Sequence, residues 1–237
     1  MLKATTDNKK VKSSLILNVT STKHCPSKAL GLCPFFKDCY GSGYEVRPTV
    51  LRDRLNREKL WDIDTVEEII WSLSIDYKAK ACKNNPPQAV RYNETGDFKN
   101  QGDVNKMVSV LTGFKEWVKT EYGEDISLYG YTKRTDLDLT DLKEATSLNL
   151  GRETDLEGVN HFIAKPLEEY KNLPEDALRC LCSETLDIER ACVDRCNLCL
   201  ELQDSPIYTI LETREDAKEI KAYKRERDAL RQSQEGL

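Results

Sequence analysis

The sequence predicts an α/β fold, a parallel sheet or partial (β/α) barrel, followed by a cysteine-rich C-terminal segment. Three observations carry that prediction. Short β-branched and apolar runs alternate with longer amphipathic runs through the first part of the chain, the alternation that builds parallel strands joined by helical crossovers. The strand-like runs end in polar or glycine-containing turns. Nine cysteines fall in two groups, at 25, 33 and 39 and at 180, 182, 192, 196 and 199, with Cys82 alone between them.

Taken in order, "SLILNVTST" (14–22) is β-branched and apolar and reads as a buried strand. The first cysteine loop follows directly, and "GSGYE" (41–45) after it reads as a flexible turn. "RPTVLRDRLNREKLW" has helical character. "DIDTVEEIIWSLSIDYKAKAC" is a better helix, with Asp64 or Thr65 available as N-cap and acids in its first turn, and "NNPP" ends it. "QAVRYNETGDF" (88–98) reads as a strand running into a turn where Gly96 can take a positive φ. "DVNKMVSVLTGFKEWVKTEYG" is a long amphipathic helix with Gly123 as C-cap. "DISLYGYTKR" is a third strand, "DLTDLKEA" a short helix, "TSLNLG" a fourth strand and "HFIAK" a fifth. Residues 14–170 are thus expected to form the α/β domain. Residues 171–237 hold the second cysteine group, which shows no strong strand pattern, and a charged tail helix.

The chain has 237 residues, 39% hydrophobic and 32% charged, with a formal net charge of −5. That balance describes a globular protein with no bulk attraction to nucleic acid. No apolar run approaches the roughly 20 residues that span a bilayer. The start, "MLKATTDNKKVKSS", has no apolar stretch of signal-peptide length, so a cytoplasmic protein is expected. In a reducing compartment, clustered thiols are more often metal ligands or catalytic groups than disulfides. Cys82, being isolated, reads as a small buried hydrophobe. With only two histidines, no Ser/His/Asp arrangement is arguable, and there is no P-loop.

In parallel α/β sheets ligands gather outside the carboxyl ends of the strands. The Cys25, Cys33, Cys39 loop leaves the first predicted strand there, "NETGD" the second, "YTKR" the third and "NLGRE" the fourth, so the four are expected to converge on one rim. Thiolates are soft ligands that favour zinc, copper(I) or iron–sulfur clusters. The Cys25-x7-Cys33-x5-Cys39 spacing is too long for paired zinc knuckles and suits a 4Fe–4S cluster with one iron left for another ligand. Zinc held by three thiolates and His24 is the alternative, although His24 adjoins Cys25 and is more readily placed beside the site than in it. In the second group, Cys182, Cys192, Cys196 and Cys199 supply four thiolates for a closed auxiliary cluster, with Cys180 spare or exchanging roles with Cys182. Cys196-x2-Cys199 is also a good zinc knuckle.

The ordered set "TSTKHCPSKALGLCPFFKDCY", "RYNETGDF", "LYGYTKR" and "SLNLG", then a late cysteine group, resembles the phage gene-product-88 family over residues 14–200. Members of that family resemble radical S-adenosylmethionine (radical SAM) enzymes in strand order and in the early cysteine loop. The resemblance implies a radical-SAM-like core with Cys25, Cys33 and Cys39 on the cluster and Tyr40 beside it. Glu94, Gly96 and Asp97 match the strand end that receives the methionine amino group, and Ser147 and Asn149 lie near the ribose position. Typical radical SAM loops read C-x3-C-x2-C; the wider loop here leaves SAM binding open.

Three readings follow. The first is a radical-SAM-like enzyme with one or two 4Fe–4S clusters, S-adenosylmethionine, an unidentified small-molecule substrate faced by Tyr131, Lys133 and Arg134, and an electron donor. The second keeps the cluster without SAM, for electron transfer or direct substrate binding at the open iron. The third is a zinc-stabilised interaction protein. On the bland alternative Tyr131 is core, Lys133 and Arg134 are a solvated strand end, and Asp97 caps the next helix.

Overall fold

A computed structural model of the chain describes residues 1–5, 14–34, 36–37, 39–152, 154–185, 196, 198–211 and 216–235. Strand β1 (Ser14–Leu17) is followed by α1 (Pro26–Ala29), α2 (Tyr40–Glu45), α3 (Pro48–Ile63) and α4 (Val66–Ala81). Next come β2 (Ala89–Tyr92), α5 (Gln101–Tyr122), β3 (Ser127–Thr132), α6 (Thr140–Ala145), β4 (Ser147–Leu150) and β5 (Asn160–Lys165). The chain continues through α7 (Leu167–Lys171), β6 (Leu178–Arg179), α8 (Leu181–Glu184), β7 (Ile207–Ile210) and α9 (Ala217–Glu235). The strands form one open sheet in the order β1-β2-β3-β4-β5-β7-β6, and every pairing is parallel.

Because the first five strands are neighbours in chain order, successive crossovers advance in one direction and their helices gather on one face. The register separates the two faces. Leu15, Val90 and Leu128 stand side by side, as do Leu17, Tyr92, Gly130 and Leu148, with Leu150 beyond them. These side chains join Trp61 of α3, Ile69, Leu73 and Tyr77 of α4, Met107, Leu111 and Phe114 of α5 and Leu142 of α6 in the main core. The alternate positions, Arg91, Tyr129, Tyr131, Ser147, Asn149, Asn160 and Phe162, occupy the other face, which is polar and aromatic. A smaller core of Leu167, Tyr170, Ile210 and Ile220 ties α7 and α9 to β7.

Local chemistry explains the helix ends. Thr65 caps α4, accepting from Glu68 N while the Glu68 carboxylate accepts from Thr65 N, a reciprocal capping box. Asn100 caps α5, so that position falls to Asn100 and not to Asp97, and Gly123 at φ 68° ends the helix. Three expectations are corrected. "GSGYE" is helical, because Glu45 at the end of α2 is fixed by backbone N–H groups of the preceding loop and by Arg54. The C-terminal part does contain strands, β6 and β7, whose short runs carry no readable alternation and exist by pairing with each other and with β5. Cys82 is exposed, because it is the C-cap of α4, beyond the last turn that packs on the core. Among the described residues no helix is long and apolar enough to cross a membrane.

Gly130 is where β3 passes beneath the Tyr92 ring, whose hydroxyl reaches Thr146 Oγ1 at 2.9 Å. A Cβ there would lie 2.4 Å from ring atoms. Gly130→Ala is expected to lower unfolding free energy by about 1–3 kcal/mol, the usual cost of overpacking a filled core, read by urea denaturation.

Candidate functional site

The chain leaving β1 is held by carboxylates from two later helices. Ser21 N donates to Glu58 Oε2 at 3.1 Å, Thr22 N to Glu45 Oε1 at 2.7 Å and Lys23 N to Glu45 Oε2 at 3.1 Å. Arg54 donates to the same Glu45 oxygen at 3.0 Å, and His24 pairs with Glu58 at 3.0 Å. His24 therefore faces α3. The stretch then turns into α1 directly after Cys25. Leu32 N and Cys33 N both donate to Ser27 O, at 2.9 and 3.0 Å, folding Cys33 back on α1. Cys39 immediately precedes α2. All three cysteines are partly buried.

Asp97 joins this loop to the neighbouring strand ends. Its side chain is buried, and each oxygen accepts twice: Oδ1 from Phe98 N at 3.0 Å and Thr132 Oγ1 at 2.6 Å, Oδ2 from Ser27 Oγ at 2.6 Å and Lys133 N at 2.9 Å. The backbone on either side of it is locked to Thr20, whose hydroxyl accepts from Asp97 N and donates to Asp97 O, both at 2.9 Å. Gly96 makes that approach feasible. Its φ is 77°, and a Cβ would stand 2.1 Å from Thr20 O. Gly151 N donates to Thr132 O at 3.0 Å, bringing in the exit of β4, where Lys133 lies alongside Gly151. The expected convergence of four strand exits thus exists, and Asp97 is its centre.

The other rim residues have defined neighbours. Arg134 is buried and forks onto Asp136 while donating to Phe98 O and Lys99 O. Burial pushes the Cys25 thiol up to about 11; a Lys28 backbone hydrogen bond and the Lys133 charge pull it down, and Asp97 and Cys33 add to the rise. Cys25 therefore sits within electrostatic reach of Cys33, Asp97 and Lys133. Glu94 pairs with Arg91 at 3.7 Å, and the Arg91 guanidinium lies over the Tyr131 ring at 5.1 Å.

The second cysteine group meets the polar sheet face. Tyr131 donates to Cys199 Sγ at 2.9 Å. Ser147 Oγ and Asn149 Nδ2 donate to Cys199 O at 2.9 and 3.1 Å. Asn160 Nδ2 donates to Asn149 Oδ1, Leu198 O and Glu201 O, and its own oxygen accepts from Gln203 N at 2.8 Å. Ser147 and Asn149, assigned by resemblance near a ribose, thus hold the backbone of this segment. Cys180 lies elsewhere, its N–H donating to Tyr208 O at 2.7 Å beside β7. Cys182 has its backbone in α8 but its side chain, like that of Tyr40 and the whole of Cys192, lies outside what the structure describes. Cys196 is partly buried. Among the described residues no three His, Cys, Asp or Glu side chains gather as a metal-holding set.

Sequence reasoning missed Glu45, Glu58, Ser27, Arg91 and Asn160. Glu45 lies in a stretch that reads as a flexible turn, Glu58 reads as an ordinary helix-surface acid, and Ser27 as loop. Asn160 acquires its place only through the register that sets it opposite Asn149. Arg91 was the one with a signal, a charge in the middle of an otherwise apolar strand.

A family model described as Gene product 88 matches residues 1–150, which span the first cysteine loop, the Asp97 network and β4. No curated protein and no solved structure matches the chain.

Two outcomes test this rim. Asp97→Ala strands the Ser27 and Thr132 hydroxyls and Lys133 N and is expected to cost at least about 3 kcal/mol in chemical denaturation. Burial raises the Glu45 carboxyl, but hydrogen bonds from Thr22 and the Arg54 charge outweigh it and hold the group below its ordinary value of 4.5. A carboxyl depressed in the folded state stabilises fully above that unfolded value, and the contribution fades as pH falls through the lower folded one. Glu45→Gln should therefore lower stability at neutral pH and flatten its decline below pH 4.5, followed by urea titrations across pH.

Proposed function

The chain belongs to the gene product 88 family of phage proteins, and from that premise we propose that it is an iron–sulfur protein with a radical-SAM-like core. The observation that carries this reading is the placement of the Cys25, Cys33, Cys39 loop at the carboxyl end of β1, bonded through Asp97 to the exits of β2 and β3. Carboxyl ends of parallel strands are where α/β sheets collect ligands. In its favour, three partly buried sulfurs lie on one short stretch, and Cys25 and Cys33 are within electrostatic reach of each other, although burial outweighs the Lys133 charge and keeps Cys25 protonated until a metal displaces the proton.

On this reading Cys25, Cys33 and Cys39 would hold a 4Fe–4S cluster, and Cys182, Cys192, Cys196 and Cys199 an auxiliary one, with Cys180, which lies beside β7, spare. Such a cluster supplies one-electron transfer and, with one iron open, a coordination site. The chain's own groups do the rest. Glu45 and Glu58 hold the loop's backbone open, Asp97 positions α1 against β3, and Lys133 balances sulfur charge. A reducing cytoplasm, a small electron donor and an unidentified small-molecule substrate complete the proposal.

One observation favours the version without SAM. All four acceptances of Asp97 are taken, and Ser147 and Asn149 are committed to Cys199 O, so positions the resemblance gives to SAM are engaged by the chain itself.

The test is iron, acid-labile sulfide and zinc per chain in protein purified without oxygen, with EPR of the reduced form with and without SAM. About eight irons per chain are expected for two 4Fe–4S clusters, falling to about four in the Cys25→Ala/Cys33→Ala variant. A SAM-dependent spectrum selects the enzyme reading; iron without that response selects the second. Zinc without iron refutes both.

A further inference from the structure

Three sides of α4 are accounted for within the chain. Ile69, Leu73 and Tyr77 enter the main core, and Ser72 and Ser74 are buried. Ile70 fits over Gly113 of α5, where a Cβ would stand 2.6 Å from its Cδ1. Asp76 accepts from Ala4 N at 3.0 Å. The fourth side faces solvent and carries Glu67, Trp71, Ile75 and Lys78. Trp71 and Ile75, one helical turn apart, leave 59% and 42% of their surface exposed. Single apolar residues on a surface are ordinary, but these two neighbours make a continuous apolar ridge.

The ridge is firmly backed. The Lys78 ammonium lies over the Trp117 ring at 5.3 Å, and Trp117 stacks on Phe114 and meets Tyr77 and Tyr122. The two ends of the helix carry opposite charge, with Glu67 and Glu68 in the first turn and Lys78 and Lys80 in the last. Glu68 accepts from Thr65 N in the capping box, so Glu67 is the acid on the ridge itself. At 3.6 residues per turn, Glu67 and Lys78 point within about 20° of each other around the helix axis.

We propose that a second copy of the chain docks on this face, the two α4 helices lying antiparallel about a two-fold axis level with Leu73. That axis sets Trp71 of each copy against Ile75 of the other. It also sets Glu67 of each against the turn of Lys78 and Ala79 of the other, on the same side of the interface, so opposite charges meet twice. A parallel pairing would bring like charges together instead. The acids and lysines also suit the dipole of α4, but the dipole asks nothing of Trp71 and Ile75. A single helix pair buries less than the roughly 1,600 Å² of a standard interface, so a weak dimer is expected, with a Kd of about 1–100 μM. The rise of about 1.5 Å per residue sets the two exposed Cys82 residues about 27 Å apart along the interface, so no disulfide takes part. None of these residues enters the iron–sulfur reading, and the two fail separately.

Sedimentation equilibrium of the full chain, purified without oxygen and kept reduced, is expected to show a monomer–dimer equilibrium that weakens with added salt. Trp71→Ala is expected to raise the dissociation constant at least about tenfold, because a symmetric interface loses the side chain twice. Glu67→Lys and Lys78→Glu each raise it about fivefold. The Glu67→Lys/Lys78→Glu double variant recovers the parental affinity, because the exchanged charges again face each other. At a concentration where the parent is monomeric, circular dichroism and urea denaturation of Trp71→Ala are expected to match the parent, which separates lost association from lost folding. A parent that stays monomeric up to about 1 mM overturns the proposal. So does a dimer indifferent to Trp71→Ala. A double reversal that associates no better than the single ones also overturns it, since that is the outcome for charges serving only the helix dipole.

Discussion

A buried carboxylate with no counter-ion in direct contact is tolerable only when hydrogen bonds replace the water it has lost. Asp97 meets that demand by accepting four times, and each donor belongs to a different requirement of the fold: the helix inside the cysteine loop, the end of β3, the start of the following turn and its own next residue. Ser27, Asp97 and the Thr132–Lys133 pair lie far apart in sequence. Were the carboxylate merely a surface group, the loop that carries Cys25 and Cys33 would have no fixed relation to the sheet. With it, the sulfurs are referenced to the strand ends, and any chemistry at the loop shares a frame with the side chains of β3.

The two faces of the sheet divide the work. Strands laid down in chain order send their crossovers to one side, and that side accumulates the aromatic and aliphatic core around Trp61, Tyr77 and Phe114. The opposite side cannot be closed by the same helices. It is covered, at β3 to β5, by the turn around Cys199, whose backbone is held by amides and a hydroxyl. This explains why an apparently hydrophobic strand such as β3 carries a tyrosine and a polar neighbour at alternate positions, and why Asn149 and Asn160 sit side by side in the middle of a sheet. Buried amides of this kind specify register, because a shift of one residue would leave each of them unpaired.

Much of this was legible in the sequence. The β-branched run at Leu15 to Val19, the capping pattern at Thr65 and Glu68, and the glycine after Tyr122 each reported local physics that the tertiary structure did not override. The meeting of four strand exits was readable because parallel connectivity dictates it. What could not be read was anything that depends on pairing at a distance. Glu45 looks like part of a loose turn, and Glu58 like any helix acid, until the loop's N–H groups are placed against them. The two-residue pairing of β6 exists only through its neighbour β7, so its sequence carries no strand signature. Ser147 and Asn149 were singled out as ligand groups from the family resemblance, whereas both donate to the Cys199 carbonyl some fifty residues later in the chain.

The anchoring of the first cysteine loop by residues that follow it has a temporal meaning. During synthesis the three thiols leave the ribosome before Glu45 and Glu58 can receive the loop's amides, and well before Asp97 and Thr132 can tie α1 to the sheet. Until β3 has emerged, the nascent cysteines belong to a segment without a fixed shape, open to oxidation and to any scavenging metal. The final geometry of that loop is therefore a late event in the life of the chain, complete only once more than half of the polypeptide has been made.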